Sequence, residues 1–435
     1  MAAAPDAATW GYYSFPEADA PFCFAAEQVC EADMAGSGDD WPMHLEFSPD
    51  GLSVLAQGSD RSTRVWGIPQ TSFVHSSRPE TPHGLGRAVR SVAGRDAIYP
   101  AAWHPSGTCF AVPSKQQPVA LHSLCAVSPG EPGGVRAADD AQAKPVAVYV
   151  PFSDGDTLAD VRCLAFLCGG SRLLGAGPGG VHVFDVSRPG RPIAHRPLVS
   201  RRRGRSGGVA PLAIAASPDG SGLYACGSQD CTVGLFDHRS GDLVATLAGH
   251  RGGVNHLAFS PDGRLLATGA RKDDAVLVWD LRRPPPQAPH AGASPAASSG
   301  RDRPRACASA AADIGVLLRL GRPASTHQRT SFCFDSSSSL LLAGTTEAFT
   351  LAFELVSGRE VLRLPSPDGL PAPLAQFHPR GIVLATASGA RAEPGAGAWW
   401  NSENSDDASS DASGSEAATC PASVRLFRSA FRWAA

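Results

Sequence analysis

Charge is scarce in this sequence. Asp, Glu, Lys and Arg make up 18% of the 435 residues, and the net charge is only −3 at neutral pH. No global positive field draws such a chain to nucleic acid, so any such site must come from a local cluster. An unbroken apolar run of about 18 or more residues, as a membrane span requires, is absent, and no membrane partner is expected. Met1 to Trp10 lacks the basic flank and apolar stretch of a signal peptide. The 11 cysteines are an odd number and show neither CxxC nor HxxxH spacing, so no metal site is expected. Cys163–Cys168 and Cys226–Cys231 fall in strand-like segments. Most cysteines read as small buried apolar groups in a reducing compartment.

Catalytic signatures are missing too. There is no Gly-rich phosphate loop ending in Lys-Ser/Thr, no HExxH, no G-x-S-x-G and no GxGxxG opening a helix. Neither a cofactor nor a small-molecule substrate is expected, and the chain does not read as an enzyme. His104 and His378 stand before Pro in turns. Asp60, Asp230 and Asp273 read as turn residues with buried partners rather than general bases.

What the chain has in plenty is turn residues, 46 Gly and 37 Pro, beside a hydrophobic fraction of 43%. That balance fits many short strands better than long helices. An internal repeat organises them. Its clearest copy, Gly249 to Arg282, holds a Gly-His, an alternating strand (Val254 to Phe259) and the turn Ser260-Pro-Asp-Gly263. A second strand (Leu265 to Thr268), a polar turn and a strand ending at Trp279-Asp280 follow. Pro presets φ and Gly takes a positive φ, which closes the tight antiparallel turn. With one more strand this is a four-stranded propeller blade. His250, Thr268, Asp273 and Trp279 stand where WD repeats place a buried hydrogen-bonded tetrad.

The grammar recurs. Blade one runs from about Trp41 to Pro69, with Ser48-Pro-Asp-Gly51, and Asp60 to Trp66 repeats the spacing of Asp273 to Trp279. Blade two spans about Ile98 to Leu124, blade three Leu158 to Ser187, blade four Gly208 to Arg239, blade six Thr330 to Leu364. Blade seven starts near Leu374 and resumes at Ser423 to Phe427. The expected fold is an all-β, seven-bladed WD40 β-propeller over residues 41–435. Residues 1–40 form an N-terminal extension, in which Gly11 to Phe15 supplies an outer strand that closes blade seven. Two insertions interrupt the pattern. Pro284 to Ala312 is rich in Pro, Ala and Ser, and Arg391 to Ala422 is acidic and Ser-rich. The acidic stretch reads as solvated low-complexity sequence, with screening of a basic face or binding of a basic partner as the alternatives.

In a WD blade, the loops before the first strand and between the second and third strands share the top face. Here those loops are basic. Blade four is entered through Ser200 to Arg205, with Arg203 and Arg205. Blade five brings Arg251, Arg271 and Lys272, and blade six His327, Gln328 and Arg329. Blade two brings Lys115, Gln116 and Gln117, blade one Arg61 and Arg64, and blade seven Arg391. Cations converging on one face make a phosphate-binding surface despite the negative net charge, and Gln and Arg can hydrogen-bond base edges. A solvated Arg-rich loop, or a nuclear-import signal at Arg201 to Arg205, is the other reading of these residues. Trp279-Asp280-Leu281-Arg282 also fits the WD-x-Arg pattern of substrate receptors in cullin ubiquitin ligases, which keeps a protein-only WD40 scaffold open as an alternative.

Several blocks carry a resemblance. Arg188-Pro-Gly-Arg191, Tyr224-Ala-Cys-Gly-Ser228, Gly249-His-Arg-Gly-Gly253, Gly269-Ala-Arg-Lys-Asp273, Gln328-Arg329 and Leu384-Ala-Thr-Ala-Ser-Gly389 occur in this order. The chain resembles the telomerase Cajal body protein family over roughly Trp41 to Pro394, most strongly over Leu164 to Arg282. Leu121-His-Ser departs from the Ile-Trp-Asp-like strand end of the family. The resemblance implies an RNA-binding scaffold that recognises the terminal-loop box of small Cajal-body H/ACA RNAs and of telomerase RNA. It implies H/ACA ribonucleoprotein proteins as partners, delivery of the particle to nuclear Cajal bodies, and support of the telomerase holoenzyme.

Overall fold

Apolar residues on both faces of a strand require cover on both sides, and stacked blades provide it. In the computed structural model the second strands, such as Arg172–Gly177, Leu223–Ser228 and Leu265–Ala270, are buried almost throughout. The outermost ones, such as Leu243–Ala248, alternate toward exposure. The structure describes residues 22–33, 41–69, 72, 83–86, 88–124, 144–152, 157–198, 210–282, 315–381, 383–389 and 422–433.

Among these residues seven antiparallel blades form. Blade one comprises Pro42–Phe47, Ser53–Gly58, Ser62–Gly67 and Arg90–Ala93. Blade two comprises Ala102–Trp103, Cys109–Val112, Val119–Ser123 and Ala147–Tyr149. Blade three holds Cys163–Leu167, Arg172–Gly177, Gly180–Asp185 and Ala194–Pro197. Blade four holds Pro211–Ala216, Leu223–Ser228, Thr232–Asp237 and Leu243–Ala248. Blade five is built from Val254–Phe259, Leu265–Ala270, Ala275–Asp280 and Val316–Gly321. Blade six is built from Phe332–Phe334, Leu340–Ala343, Phe349–Glu354 and Glu360–Pro365. Blade seven joins Leu374–Phe377, Val383–Ser388 and Ser423–Trp433 to the N-terminal strand Phe22–Asp33.

That last strand closes the ring. It pairs antiparallel with Ser423–Trp433, from Phe22 opposite Trp433 to Asp33 opposite Ser423. The closing strand is therefore Phe22–Asp33 rather than Gly11 to Phe15, which lies outside the described residues. His83–Gly84 adds a short parallel fifth strand on its free edge, covering an otherwise unpaired row of backbone groups. Residues 284–312 and 391–421 also lie outside the described residues, whereas Ala422 is buried beside the third strand of blade seven. Cys168 opens the short 3-10 helix Cys168–Gly170 and Cys231 sits in a turn, with φ of 52° and 69°, rather than in strands.

Each pair of neighbouring blades shares one buried apolar cluster. Leu45, Val54 and Trp66 of blade one pack with Leu374, Val383 and Val424 of blade seven. Val233 and Leu235 of blade four pack with Leu257, Leu277 and Trp279 of blade five. Ala267 and Val278 meet Phe332 and Leu341 of blade six. Seven such clusters for seven interfaces mean that the wheel is continuous.

On the opposite face, the turns between first and second strands interlock. The His378 Nε2–H of blade seven donates to the Gly51 carbonyl of blade one at 2.8 Å, and the ring meets Phe47 edge-on at 5.1 Å. Gly51 has φ of 74°, and a Cβ there would lie 2.3 Å from His378 Nε2. The left-handed backbone alone costs a side chain about 1–2 kcal/mol, and the clash adds to it. Gly51→Ala is thus expected to lower the denaturant midpoint by more than that strain, with His378→Ala in the same chain recovering part of the loss. An unchanged midpoint for Gly51→Ala would show that this contact does not bind blade seven to blade one.

Candidate nucleic-acid interface

The top loops of blade five are fixed by four side chains. The indole N–H of Trp279 donates to Thr268 Oγ1 at 3.0 Å, and Thr268 Oγ1 lies 2.7 Å from His250 Nε2. His250 Nδ1 lies 2.9 Å from Asp273 Oδ2. With the proton on Nδ1 shared with Asp273, Nε2 of the neutral ring accepts from the threonine hydroxyl, so donors run in one direction from indole to carboxylate. Asp273 also accepts the backbone N–H groups of Arg251 and Ala275. Burial pushes its carboxyl up, but the His250 and backbone hydrogen bonds outweigh this and leave it below the usual range.

This network holds a tight turn at Arg271 and Lys272. Lys272 has φ of 52°, and its N–H donates to the Thr326 carbonyl of the loop entering blade six at 2.9 Å. Arg271 N–H donates to the Gly253 carbonyl at 2.9 Å. A Cβ at Gly252 would stand 1.9 Å from the Arg271 carbonyl oxygen, so the Gly252-Gly253 pair is what lets the entry loop lie against this turn.

The side chains then diverge. Arg251 and Lys272 are exposed. With Arg319 of the outer strand, Asp273, Asp274, Ala275 and Gly321 they line a cavity of about 290 Å³ on the flank of blade five. Arg271 is half-buried, and its Nε makes no hydrogen bond. Burial and the like charge of Arg162 lower its pKa. Arg329 is enclosed by protein while keeping some contact with solvent. Its Nε and Nη2 both bond to His256 Nδ1, at 3.1 and 2.7 Å. Burial brings its pKa down to about 10, against the pull of Glu46 and Cys163. His256 is thereby fixed as the Nε2–H tautomer, donating to the Phe332 carbonyl at 3.0 Å. Gln328 is half-buried, its N–H on Thr326 Oγ1 and its carbonyl accepting from Asn255 Nδ2.

Groups from blades one (His44, Glu46), three (Arg162, Cys163), five (His256, Arg271) and six (Arg329) perturb one another's ionisation. Such distant parts of the sequence meet only around the axis of the wheel.

Other expected cations are differently placed. Lys115 is exposed on the blade-two side, where its N–H caps Ala97. Arg64 does not point to a free rim: it is half-buried in its strand and paired with Asp60. Arg61 donates to the Arg95 carbonyl at 3.1 Å. Arg203, Arg205 and Arg391 lie outside the described residues. Arg162 was not anticipated. It stands just before the inner strand of blade three and pairs with Asp160 at 2.9 Å, where Tyr99 and the Gln116 N–H also bond. Its place in a loop preceding an inner strand was the available signal. Arg319 had no such signal, since it belongs to an outer strand beyond an insertion. Among the described residues no group of three or more His, Cys, Asp or Glu could hold a metal ion, and no helix is long and apolar enough to cross a membrane. Arg282, in the WD-x-Arg pattern, forks onto its own neighbour Asp280 at 2.9 and 2.8 Å.

The profile described as "WD domain, G-beta repeat" matches residues 241–280, the repeat that carries the tetrad. Telomerase Cajal body protein 1 of Mesocricetus auratus is 28% identical over 401 residues, which cover 87% of this chain and 64% of that protein. The Mus musculus protein of the same name is 28% identical over 80% of this chain and 59% of its own length. The Homo sapiens protein is 29% identical, with 80% and 57% covered. The chain carries a WD40 repeat and is similar in sequence to telomerase Cajal body protein 1. It spans less than two thirds of the length of these relatives.

Two measurements check this site. Thr268→Val keeps the shape but strands the Trp279 N–H and removes the donor to His250. About 1–3 kcal/mol is expected for each buried group left unsatisfied, read as a lower denaturant midpoint; wild-type stability would dissolve the tetrad as a structural unit. The second is pH. Burial lowers the pKa of His44, His256 and His378, and brings His122 and His182 to about 4. In the unfolded chain these rings titrate near 6.5, so unfolding takes up protons below that pH and stability falls as pH drops. Carboxylates stay ionised in both states until about pH 4 and do not oppose the trend. The melting temperature should decline steadily from about pH 7 to about pH 5, and a flat profile there would contradict the buried neutral histidines.

Proposed function

We propose that this chain is a non-enzymatic WD40 scaffold that binds an unpaired RNA loop through the top face of blades five and six. The RNA is of the small Cajal-body H/ACA class, including telomerase RNA. The chain thereby directs the ribonucleoprotein, with its H/ACA proteins, to nuclear Cajal bodies in support of telomerase. The relatives' name motivates the telomerase and Cajal-body context. The observation that carries the RNA reading is local. Arg251, Arg271, Lys272 and Arg329 come from adjoining loops of two blades in a chain of net charge −3, and none of the four has a carboxylate as its side-chain hydrogen-bond partner among the described contacts. Such cations attract phosphates, while an open loop exposes base edges to Gln328 and its neighbours.

A hairpin RNA carrying the box in its loop should bind more tightly than the same hairpin with the box scrambled. Equal affinity at physiological salt would leave the protein-only scaffold as the better reading. Replacing Arg271 and Lys272 by Ala together should weaken the hairpin complex and flatten the dependence of log K on log[salt] by about 0.7 per lost cation. An unchanged dissociation constant and slope would remove both residues from the interface.

A further inference from the structure

The outer strand of a blade leaves one row of N–H and C=O groups unpaired, and folded proteins blunt such edges with charge, proline or cover. Six of the seven outer strands described above are blunted. In blade two, Gly190 covers the edge of Ala147–Tyr149: its N–H donates to the Val148 carbonyl at 3.0 Å, and its carbonyl accepts the Val150 N–H at 2.7 Å. In blade seven His83–Gly84 covers Phe22–Asp33. Arg90–Ala93 of blade one opens with a charge, and Ala194–Pro197 of blade three carries Arg196 and ends in proline. Val316–Gly321 of blade five carries Arg319, and Glu360–Pro365 of blade six carries two charges and a proline.

Blade four is the exception. Its outer strand Leu243–Ala248 reads Leu-Val-Ala-Thr-Leu-Ala, with neither charge nor proline. It is last in its sheet, and no other segment bonds to its free edge among the described residues. Val244 is 61% exposed and Leu243 39%. The difference centres on one position. Thr246 stands opposite Gly234 of the third strand, as Arg319 stands opposite Leu277 in blade five and Arg363 opposite Leu351 in blade six. All three outer strands bulge two residues earlier, at Val244, Leu317 and Val361, so the positions correspond. Where its neighbours place a guanidinium at mid-edge, blade four has a small β-branched alcohol.

The occupant that this edge fits is itself. A two-fold axis normal to the sheet and through Thr246 sets that residue opposite its own copy, with Val244 opposite Ala248 and Ala245 opposite Leu247. A charge at the centre would face its like, whereas a Thr–Thr pair supports cross-strand contact. The axis also reverses the strand. The exposed Asp242 of each copy then comes to the end where the other exposes Arg251, so opposite charges meet twice.

We propose that this chain forms a reversible homodimer by antiparallel pairing of Leu243–Ala248 with the same strand of a second copy. Two four-stranded blades thereby join into one eight-stranded sheet across an isologous contact. The proposal is independent of the RNA reading. A single strand per copy buries less than the roughly 1,200 Å² of a stable interface, so the dissociation constant is on the order of tens of micromolar.

The test is sedimentation equilibrium of the full chain over a concentration series spanning that value. The wild-type mass should rise from monomer to dimer. Thr246→Arg, which copies the neighbouring blades, and Thr246→Glu should each stay monomeric. An equimolar mixture of the two should recover the dimer, because the arginine then faces the glutamate; a misfolded variant would not be rescued in this way. Leu317→Arg on the blade-five edge should dimerise as wild type does. A dimer in Thr246→Arg as strong as in wild type, or no recovery in the mixture, would overturn the strand pairing. So would a wild-type chain that is monomeric throughout, and amide exchange then identifies what holds the edge instead. Rapid exchange over Leu243–Ala248 would leave it to the strand of another protein, and slow exchange would mean that the same chain covers it.

Discussion

The antiparallel pairing of Phe22–Asp33 with Ser423–Trp433 is the constraint on which the rest of the structure depends. Six blade interfaces can form from neighbours in sequence. The seventh requires the two ends of the described chain to meet. An ion-pair network secures that junction: Arg425 reaches Glu31 of the closing strand at 2.7 Å and Asp368 of the blade-seven entry loop at 2.8 Å, and donates to Ser388 at 2.8 Å. Burial raises the Asp368 carboxyl, yet its bonds to Ser366, Ser388 and Arg425 outweigh that and hold it at about 2. A buried guanidinium is expensive unless several acceptors surround it, and here acceptors from three segments do so. Closure also gives each blade cover on both faces, which is why its strands can be apolar throughout.

The same wheel explains how positive charge survives near the axis. Guanidinium groups keep their proton under burial that would neutralise other bases. The protein answers each with neutral acceptors. Arg322 donates to the carbonyls of Ser331 and Gly344 at 3.1 and 2.9 Å and lies over the Phe332 ring. Its pKa is brought to about 9 by burial, with Asp273 and Asp274 opposing. Arg329 uses the lone pair of His256. Carbonyls and imidazole orient the cations without cancelling their charge, and an incoming anion meets groups already held in place.

How much of this was legible in the sequence follows from where each residue packs. The Ser-Pro-Asp-Gly turns and the Asp-to-Trp spacing announce the inner three strands of a blade, because those strands are constrained on both faces. Outer strands such as Arg90–Ala93 and Ala194–Pro197 have weaker patterns, since half their side chains meet water, and blades one and three therefore read as ending too early. Gly11 to Phe15 has the aromatic character of a strand, but the register of Phe22–Asp33 is set by a partner about 400 positions away, which no local pattern reports. The tetrad was readable as four residue types at fixed spacing. Arg162 was not, because the action of its charge on Arg271 of another blade depends on tertiary placement.

The sequence suggests a basic rim, and among the described residues its cations differ in their partners from blade to blade. On the side of blades one and two, Arg64 is consumed by Asp60 and Arg61 by a carbonyl, and Gln117 bonds to Asp96 at 3.3 Å. Lys115 is exposed there. On blades five and six, Arg251, Lys272, Arg271 and Arg329 have no carboxylate as a hydrogen-bond partner among the described contacts, although Asp273 and Asp274 stand beside Lys272. Blades one and two are then better suited to hold the wheel shut, through Gly51 and His378 and through the N-terminal strand, than to contact nucleic acid. The division of labour follows from which arginines have been given a carboxylate.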